Sequence, residues 1–162
     1  MTKSTFYEVT PESWEDAKRI GKQLSHPSLS FVFRGQASKN WGLKTSLERT
    51  LEKYVEDFTW AWSFEKEIIQ KFKSRAHQYI QSPPQNKDFI EWLSIIQHYG
   101  GPTRLLDFSE SFYISAFFAI DSATEDSSVW AINETIIRNS VNEKTGFEYE
   151  GHPCLLYTSR CV

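Results

Sequence analysis

Two short stretches hold the side chains best suited to chemistry. The first is Gln97-His98-Tyr99-Gly100-Gly101-Pro102-Thr103-Arg104-Leu105-Leu106-Asp107, with polar and ionisable groups on both sides of a Gly-Gly-Pro break. Such a break ends a helix abruptly, because glycine accepts left-handed dihedrals and proline cannot continue the ladder. The second is Phe31-Val32-Phe33-Arg34-Gly35-Gln36, a strand-like run ending in Arg-Gly-Gln. Arg34 and Arg104 offer planar forks that suit phosphate or carboxylate. Free N–H groups at the helix start near Asp107 can receive an anion, and Tyr99 or Trp41 can stack on a flat ring. Diphosphate, ribose and a flat ring are the parts of a dinucleotide. A plainer reading stays open, in which Arg104 and Asp107 are paired with neighbours in a helix–loop–strand connection.

These stretches together resemble the FRG domain family, named for the triplet found here at Phe33-Arg34-Gly35. The run from Gln97 to Ser109 follows the family's second signature, Gln-His-Tyr-Gly-x-Pro-Thr-Arg-Leu-Leu-Asp, an aromatic, and Thr or Ser. Ala116-Phe117-Phe118-Ala119 matches the Ala-x-x-Phe-Ala that follows. Trp41, Leu43, Ser46, Leu47 and Arg49 fit the spacing between the signatures. The resemblance covers about residues 28 to 132, and a motif this long is far more specific than a short glycine pattern. Two positions depart from it: Gly101 replaces a bulky apolar residue, and Phe112-Tyr113 stands where proline is usual.

The layout is also similar to that of ADP-ribosyltransferase domains: Arg-Gly ending a first strand, Ser or Thr past a second, then Ala-x-x-Phe-Ala on a buried helix. That resemblance implies NAD as a substrate, Arg34 on its phosphates, Gly35 admitting nicotinamide and Ser109 supporting the nicotinamide ribose. It further implies an effector in bacterial or phage conflict. A transferase of this kind needs a late glutamate; Glu148-Tyr149-Glu150 has the Glu-x-Glu form and is read as a chance match. The ligand-binding candidates are thus Arg34, Gly35, Gln36, Gln97, His98, Tyr99, Arg104, Asp107 and Ser109, with no catalytic residue assigned. The alternative is a non-catalytic module for a nucleotide, nucleic acid or protein. A third reading makes Arg34–Asp107 or Arg104–Asp107 an internal ion pair that fixes packing.

Composition narrows the field. The 162 residues suit one domain, and a chain of this size buries roughly 70% of its unfolded surface. Six Trp and twelve Phe supply core volume. The net charge of −3, with signs interleaved, argues against broad attraction to nucleic acid or anionic membrane. No apolar run is long enough to span a bilayer, and Met1-Thr2-Lys3-Ser4 opens no signal peptide, so the cytoplasm is the default. The four His are scattered without ligand spacing, so no metal site is assigned. A Ser109–His98–Asp107 hydrolase lacks a nucleophile-elbow sequence. Asp107 and Glu110 are too few carboxylates for a cation-dependent nuclease. Both cysteines lie in 154–162, which looks like translated sequencing adapter from a metagenomic reading frame. The chain is therefore read as C-terminally truncated, with 1–27 an N-terminal helix and 28–153 an incomplete FRG-like domain.

The elements that must position these residues follow from periodicity and punctuation. Thr10-Pro11-Glu12 starts a helix carrying Trp14, Ala17, Ile20 and Leu24. Leu29 to Phe33 is a strand that turns Val32 and Arg34 away from its Phe face, and Gly35 lets a ligand or another backbone approach. Trp41 to Leu43 is a brief extended piece, and Thr45 and Glu48 form a capping box. Phe58 to Ile80 is a long helix with Ala61, Phe64, Ile68, Phe72, Ala76 and Tyr79 inward, Ile69 and Ile80 beside them, and Glu65 on its solvated face. Asn86 caps a helix ending in Gln97, His98 and Tyr99. Thr103 to Leu106 is a buried strand. Asp107 or Ser109 caps an all-apolar helix, about 110–121, that must be buried on most sides. Ser127 to Ile132 is a strand, and Glu134 to Val141 a weak helix. The fold expected is α+β, a small three-stranded sheet with packed helices.

Overall fold

The computed structural model describes residues 7–54, 61–137, 139 and the 157–158 pair. The helices are α1 (Trp14–Leu24), α2 (Ser46–Leu51), α3 (Ala61–Arg75), α4 (Phe89–His98) and α5 (Phe112–Ile120). The strands are β1 (Phe31–Gln36), β2 (Asp107–Phe108), β3 (Ser128–Asn133) and β4 (Tyr157–Thr158). The architecture is α+β. β1 and β3 pair antiparallel, from Phe31 opposite Asn133 to Gln36 opposite Ser128. β2 pairs parallel with β4, and Ser109, just past β2, bridges back to Phe33.

The alternation expected of β1 holds. Phe33 packs with Phe112 and Ala116 under α5, flanked by Ala17 and Leu24 of α1. Val32 turns the other way, onto Phe108, Leu43 and Leu106. A second cluster joins Ile69 of α3 to Leu93 and Ile96 of α4 and to Leu105. Clusters on both faces of a two-stranded sheet supply what a lone hairpin lacks.

Several boundaries differ from the sequence reading, each for a local reason. Ser13, not Thr10, caps α1, accepting from the Asp16 N–H. Trp41 to Leu43 form no strand, because the Gly42 carbonyl is taken by the Gln36 side chain. The Thr45–Glu48 capping box is present with both bonds. Asp88 stands at the start of α4 in place of Asn86, without a side-chain cap bond. Ser111 caps α5, and the Ser109 hydroxyl accepts from the Ser111 N–H. The start of the long helix at 58–60, and residues 138, 140 and 141 of the weak helix, lie outside the described residues; 134–137 are helical.

Thr103 to Leu106 is not a strand. Its polar groups are bonded piecemeal: Thr103 N–H donates to Ser46 Oγ, Leu47 N–H to the Thr103 carbonyl, Leu105 N–H to Thr103 Oγ1 and Arg104 N–H to Glu65. No ladder is left for these residues to join, so pairing starts only at Asp107. The expected stripe of α3 holds in part: Ile68 and Phe72 pack on the core beside Ile69, and Ala76, just past the helix, is buried, whereas Phe64 and Tyr79 are exposed. Glu65 is fully buried, a correction to its solvated placement. α5 is not buried on most sides either. Phe112, Ser115, Ala116 and Ala119 face inward, while Tyr113, Phe117, Phe118 and Ile120 are each more than half exposed. One sheet layer can cover only one side of a helix.

The Gly-Gly break forms as the sequence implies. Gly100 takes φ +79°, its N–H donates to the Gln97 carbonyl, and Gly101 N–H donates to the Ile96 carbonyl. This is a Schellman closure of α4. At Gly101 a Cβ would meet Ile96 Cγ2 at 2.5 Å, so glycine fits closely where the family usually has bulk. Gly100→Ala forces a left-handed alanine and is expected to cost about 1 kcal/mol. Urea denaturation reads that loss; an unchanged midpoint would contradict the left-handed cap.

Candidate functional site

The site is built on the face of β1 away from α5. Arg34 and Gln36 both point there, one pleat apart. Gln36 is committed to structure: its amide donates to the Gly42 carbonyl at 3.1 Å, and its oxygen accepts from the Trp130 indole at 2.8 Å. Arg34 is only partly committed. Nη1 donates to the Asp107 main-chain carbonyl at 2.8 Å, while Nε is sealed from solvent without a partner among the described residues. Burial pushes the Arg34 pKa below the ordinary arginine value; Asp107 opposes that shift and the nearby Arg49 adds to it.

Asp107 links Arg34 to the end of α4. Gln97 donates from its amide to Asp107 Oδ1 at 2.7 Å and accepts at its oxygen from the Thr103 hydroxyl at 2.5 Å. Thr103 is wholly buried and ties the same loop to Ser46 of α2. The carboxylate therefore stays exposed but oriented. Beside it opens a groove of about 730 Å³ lined by Tyr79, Ile80, Ser94, His98, Tyr99 and Asp107 itself. His98 meets the Tyr99 ring edge-on at 5.5 Å between centroids. Tyr99 and Tyr79 are both exposed there.

Gly35 stands on the opposite face from Arg34. A Cβ there would lie 1.9 Å from the Ser115 carbonyl oxygen and 2.7 Å from Ala119 N, so the backbone that approaches Gly35 is that of α5. Its own peptide groups point elsewhere. Phe33 exchanges both main-chain hydrogen bonds with Ser109, at 2.7 and 2.8 Å, on the edge of β1 away from β3. Strand alternation turns the Gly35 N–H and C=O to that same edge. Among the described residues no bridge continues along it past Ser109.

The structure thus brings together Arg34, Gln97, Asp107 and, through the strand edge, Gly35 and Ser109. Arg104 is engaged elsewhere. Its Nε donates to Glu65 Oε2 at 2.6 Å, Nη2 also reaches that oxygen, and the guanidinium lies 5.0 Å from the Trp62 ring centre. The plain reading of an arginine paired with a neighbour therefore holds for Arg104, although its partner is Glu65 and not Asp107. Charge pattern did not reveal Glu65, because a Glu in a helix rich in Glu and Lys looks solvated until its partner is known. Trp41 is exposed on the loop after β1.

Glu148 to Glu150 lie outside the described residues. Among the described residues no three His, Cys, Asp or Glu side chains gather as a metal site would need, and no helix is long and apolar enough to cross a membrane. No curated protein and no solved structure matches the chain. The FRG domain model matches residues 29–128, which contain β1, the Gly-Gly closure and all nine candidate residues. By that match, spanning well over half its length, the chain belongs to the FRG domain family.

Proposed function

We propose that the face of β1 that carries Arg34 binds a dinucleotide and that the protein is an ADP-ribosyltransferase-like effector of bacterial or phage conflict, with NAD as its substrate. The observation that carries the reading is a half-buried guanidinium bonded through Nη1 to a main-chain carbonyl, one residue before open strand-edge peptide groups. Arg34 neutralises diphosphate charge. A nicotinamide carboxamide is a planar donor–acceptor pair, so the Gly35 N–H donates to its oxygen while the Gly35 C=O accepts from its NH2. The Ser109 oxygen accepts from the Ser111 N–H, which leaves the hydroxyl proton for a ribose oxygen. The glycosidic C–N bond then breaks with its electron pair leaving on nicotinamide. The ribosyl cation is captured by an acceptor nucleophile, which loses a proton. Tyr99 and His98 flank the neighbouring groove, where a second flat ring or the acceptor can sit.

The test is nicotinamide release from NAD in the presence of cell extract. Arg34→Met is expected to lower the rate about 10–100-fold, the worth of one charged hydrogen bond to a phosphate. A folded wild-type protein that releases none, or an Arg34→Met variant that releases as much, contradicts the reading.

One observation favours a non-catalytic binding module instead. Asp107, the acid that draws on Arg34, is held by Gln97 rather than aimed at the open edge. Calorimetry with mononucleotides, dinucleotides and oligonucleotides separates the two. Binding of any of them without nicotinamide release supports the module, and silence with all three leaves a protein partner.

A further inference from the structure

The groove beside Asp107 is furnished to hold a positive charge. Two aromatic rings line it. Tyr99 stands where α4 ends, and its ring is backed by Phe72 of α3 at 5.8 Å between centroids. Phe72 packs on the Ile69, Leu93 and Ile96 cluster, so Tyr99 rests against the core. Tyr79 stands beside Tyr99 at 6.5 Å, tilted by 52°. Both rings are more than half exposed, which leaves ring faces free for a ligand.

Next to these rings, the groove offers acceptors. Gln97 spends its amide on Asp107 and its oxygen on Thr103. Ser94 donates its hydroxyl proton to the Ile90 carbonyl at 2.9 Å, so only its oxygen remains, as an acceptor. Asp107 Oδ1 receives the Gln97 amide, and Oδ2 receives no donor among the described residues. Arg34 bonds to the Asp107 main-chain carbonyl and not to its carboxylate. No Lys or Arg lines the groove.

The chain itself shows what a carboxylate and an aromatic face hold together. Arg104 places Nε on Glu65 at 2.6 Å and its guanidinium 5.0 Å from the Trp62 ring centre. The edge of a guanidinium wants oxygen acceptors, and its weakly hydrated face wants a π surface. An ammonium would suit the carboxylate but has no flat face to stack. We infer that the groove receives a guanidinium from another molecule, the arginine side chain of a partner protein. Asp107 is its counter-ion, and Tyr79 and Tyr99 are its stacking surface. A volume of about 730 Å³ also admits the peptide on either side of that arginine. The inference stands whatever the Arg34 face of β1 binds.

Calorimetry of the whole chain with Nα-acetyl-arginine amide is the test, with Nα-acetyl-citrulline amide as the neutral isostere and no NAD present. Wild type is expected to bind the arginine compound saturably and about tenfold more tightly than the citrulline compound, the worth of one charge-assisted hydrogen bond. Asp107→Asn should weaken binding by about the same factor. It should melt with wild type, because asparagine keeps an acceptor for Gln97 and the main-chain carbonyl for Arg34. Tyr79→Leu, at an exposed ring, should weaken binding roughly threefold. Glu67→Gln removes the same charge from a surface pair with Lys71 and should bind as wild type does. No binding by folded wild type overturns the inference. So does equal affinity for the citrulline compound, or undiminished binding by both Asp107→Asn and Tyr79→Leu. Tighter binding of free arginine than of the capped form overturns the partner-protein source, and binding of adenosine in place of the arginine compound gives the groove to a neutral flat ring. Failure here leaves the dinucleotide reading standing, and NAD binding that ignores Arg34→Met leaves this groove standing.

Discussion

Glu65→Ala is expected to lower unfolding free energy by about 3 kcal/mol, at the low end for breaking a buried ion pair. Glu65 is wholly buried and takes three donors from one residue: the Arg104 N–H, Nε and Nη2. Removing the carboxylate strands the Arg104 main-chain N–H as well as the guanidinium. It also detaches α3 from the loop that carries Thr103 and leads to Asp107. Arg104 retains some contact with water, which keeps the loss from the top of the range. For a domain of this size the melting temperature should fall roughly 6–12 °C. Glu65→Gln keeps an acceptor for the main-chain N–H and should lose less. A Glu65→Ala protein that melts with wild type would show that the pair does not hold α3 in place.

Gly35→Ala has a comparable effect by a different route. The added carbon meets the α5 backbone at 1.9 Å, and no side-chain rotation can relieve a clash between two main chains. Either β1 or α5 must shift, separating Phe33 from Phe112 and Ala116. The expected cost is about 3 kcal/mol, the upper end for overpacking. Gly42→Ala is the control, because a Cβ there meets nothing within 4 Å. It should change stability by no more than a few tenths of a kcal/mol, as is usual at the surface. Equal losses at Gly35 and Gly42 would mean that α5 does not approach the strand as described. The family's Phe-Arg-Gly triplet thus has a physical division of labour in this chain: Phe33 fills the core, Arg34 reaches the Asp107 carbonyl on the opposite face and Gly35 admits the helix.

How much of this was legible in the sequence depended on whether the cause was local. The face alternation of β1, the Thr45–Glu48 capping box and the Gly100–Gly101 closure follow from a few neighbouring residues, and all were readable. Thr103 to Leu106 looked like a strand because apolar content says where a segment is buried. It does not say whether the backbone partners are a ladder or the side chains of Ser46, Thr103 and Glu65. Glu65 looked solvated because its partner lies 39 positions away on another element. The outer face of α5 misled for a related reason: hydrophobicity specifies what a helix can bury, whereas the number of layers decides what it does bury. Within the site, Arg34, Gln97 and Asp107 were found from residue type and motif. The diversion of Arg104 to Glu65 is a consequence of tertiary contact.

The most direct measurement is a calorimetric titration of the folded chain with NAD, in wild type and in Arg34→Met, at fixed salt. The account predicts saturable binding by wild type and at least tenfold weaker binding by the variant, with the two melting alike when no ligand is present. Equal affinity in both, or no binding by a wild-type protein shown to be folded, would contradict it.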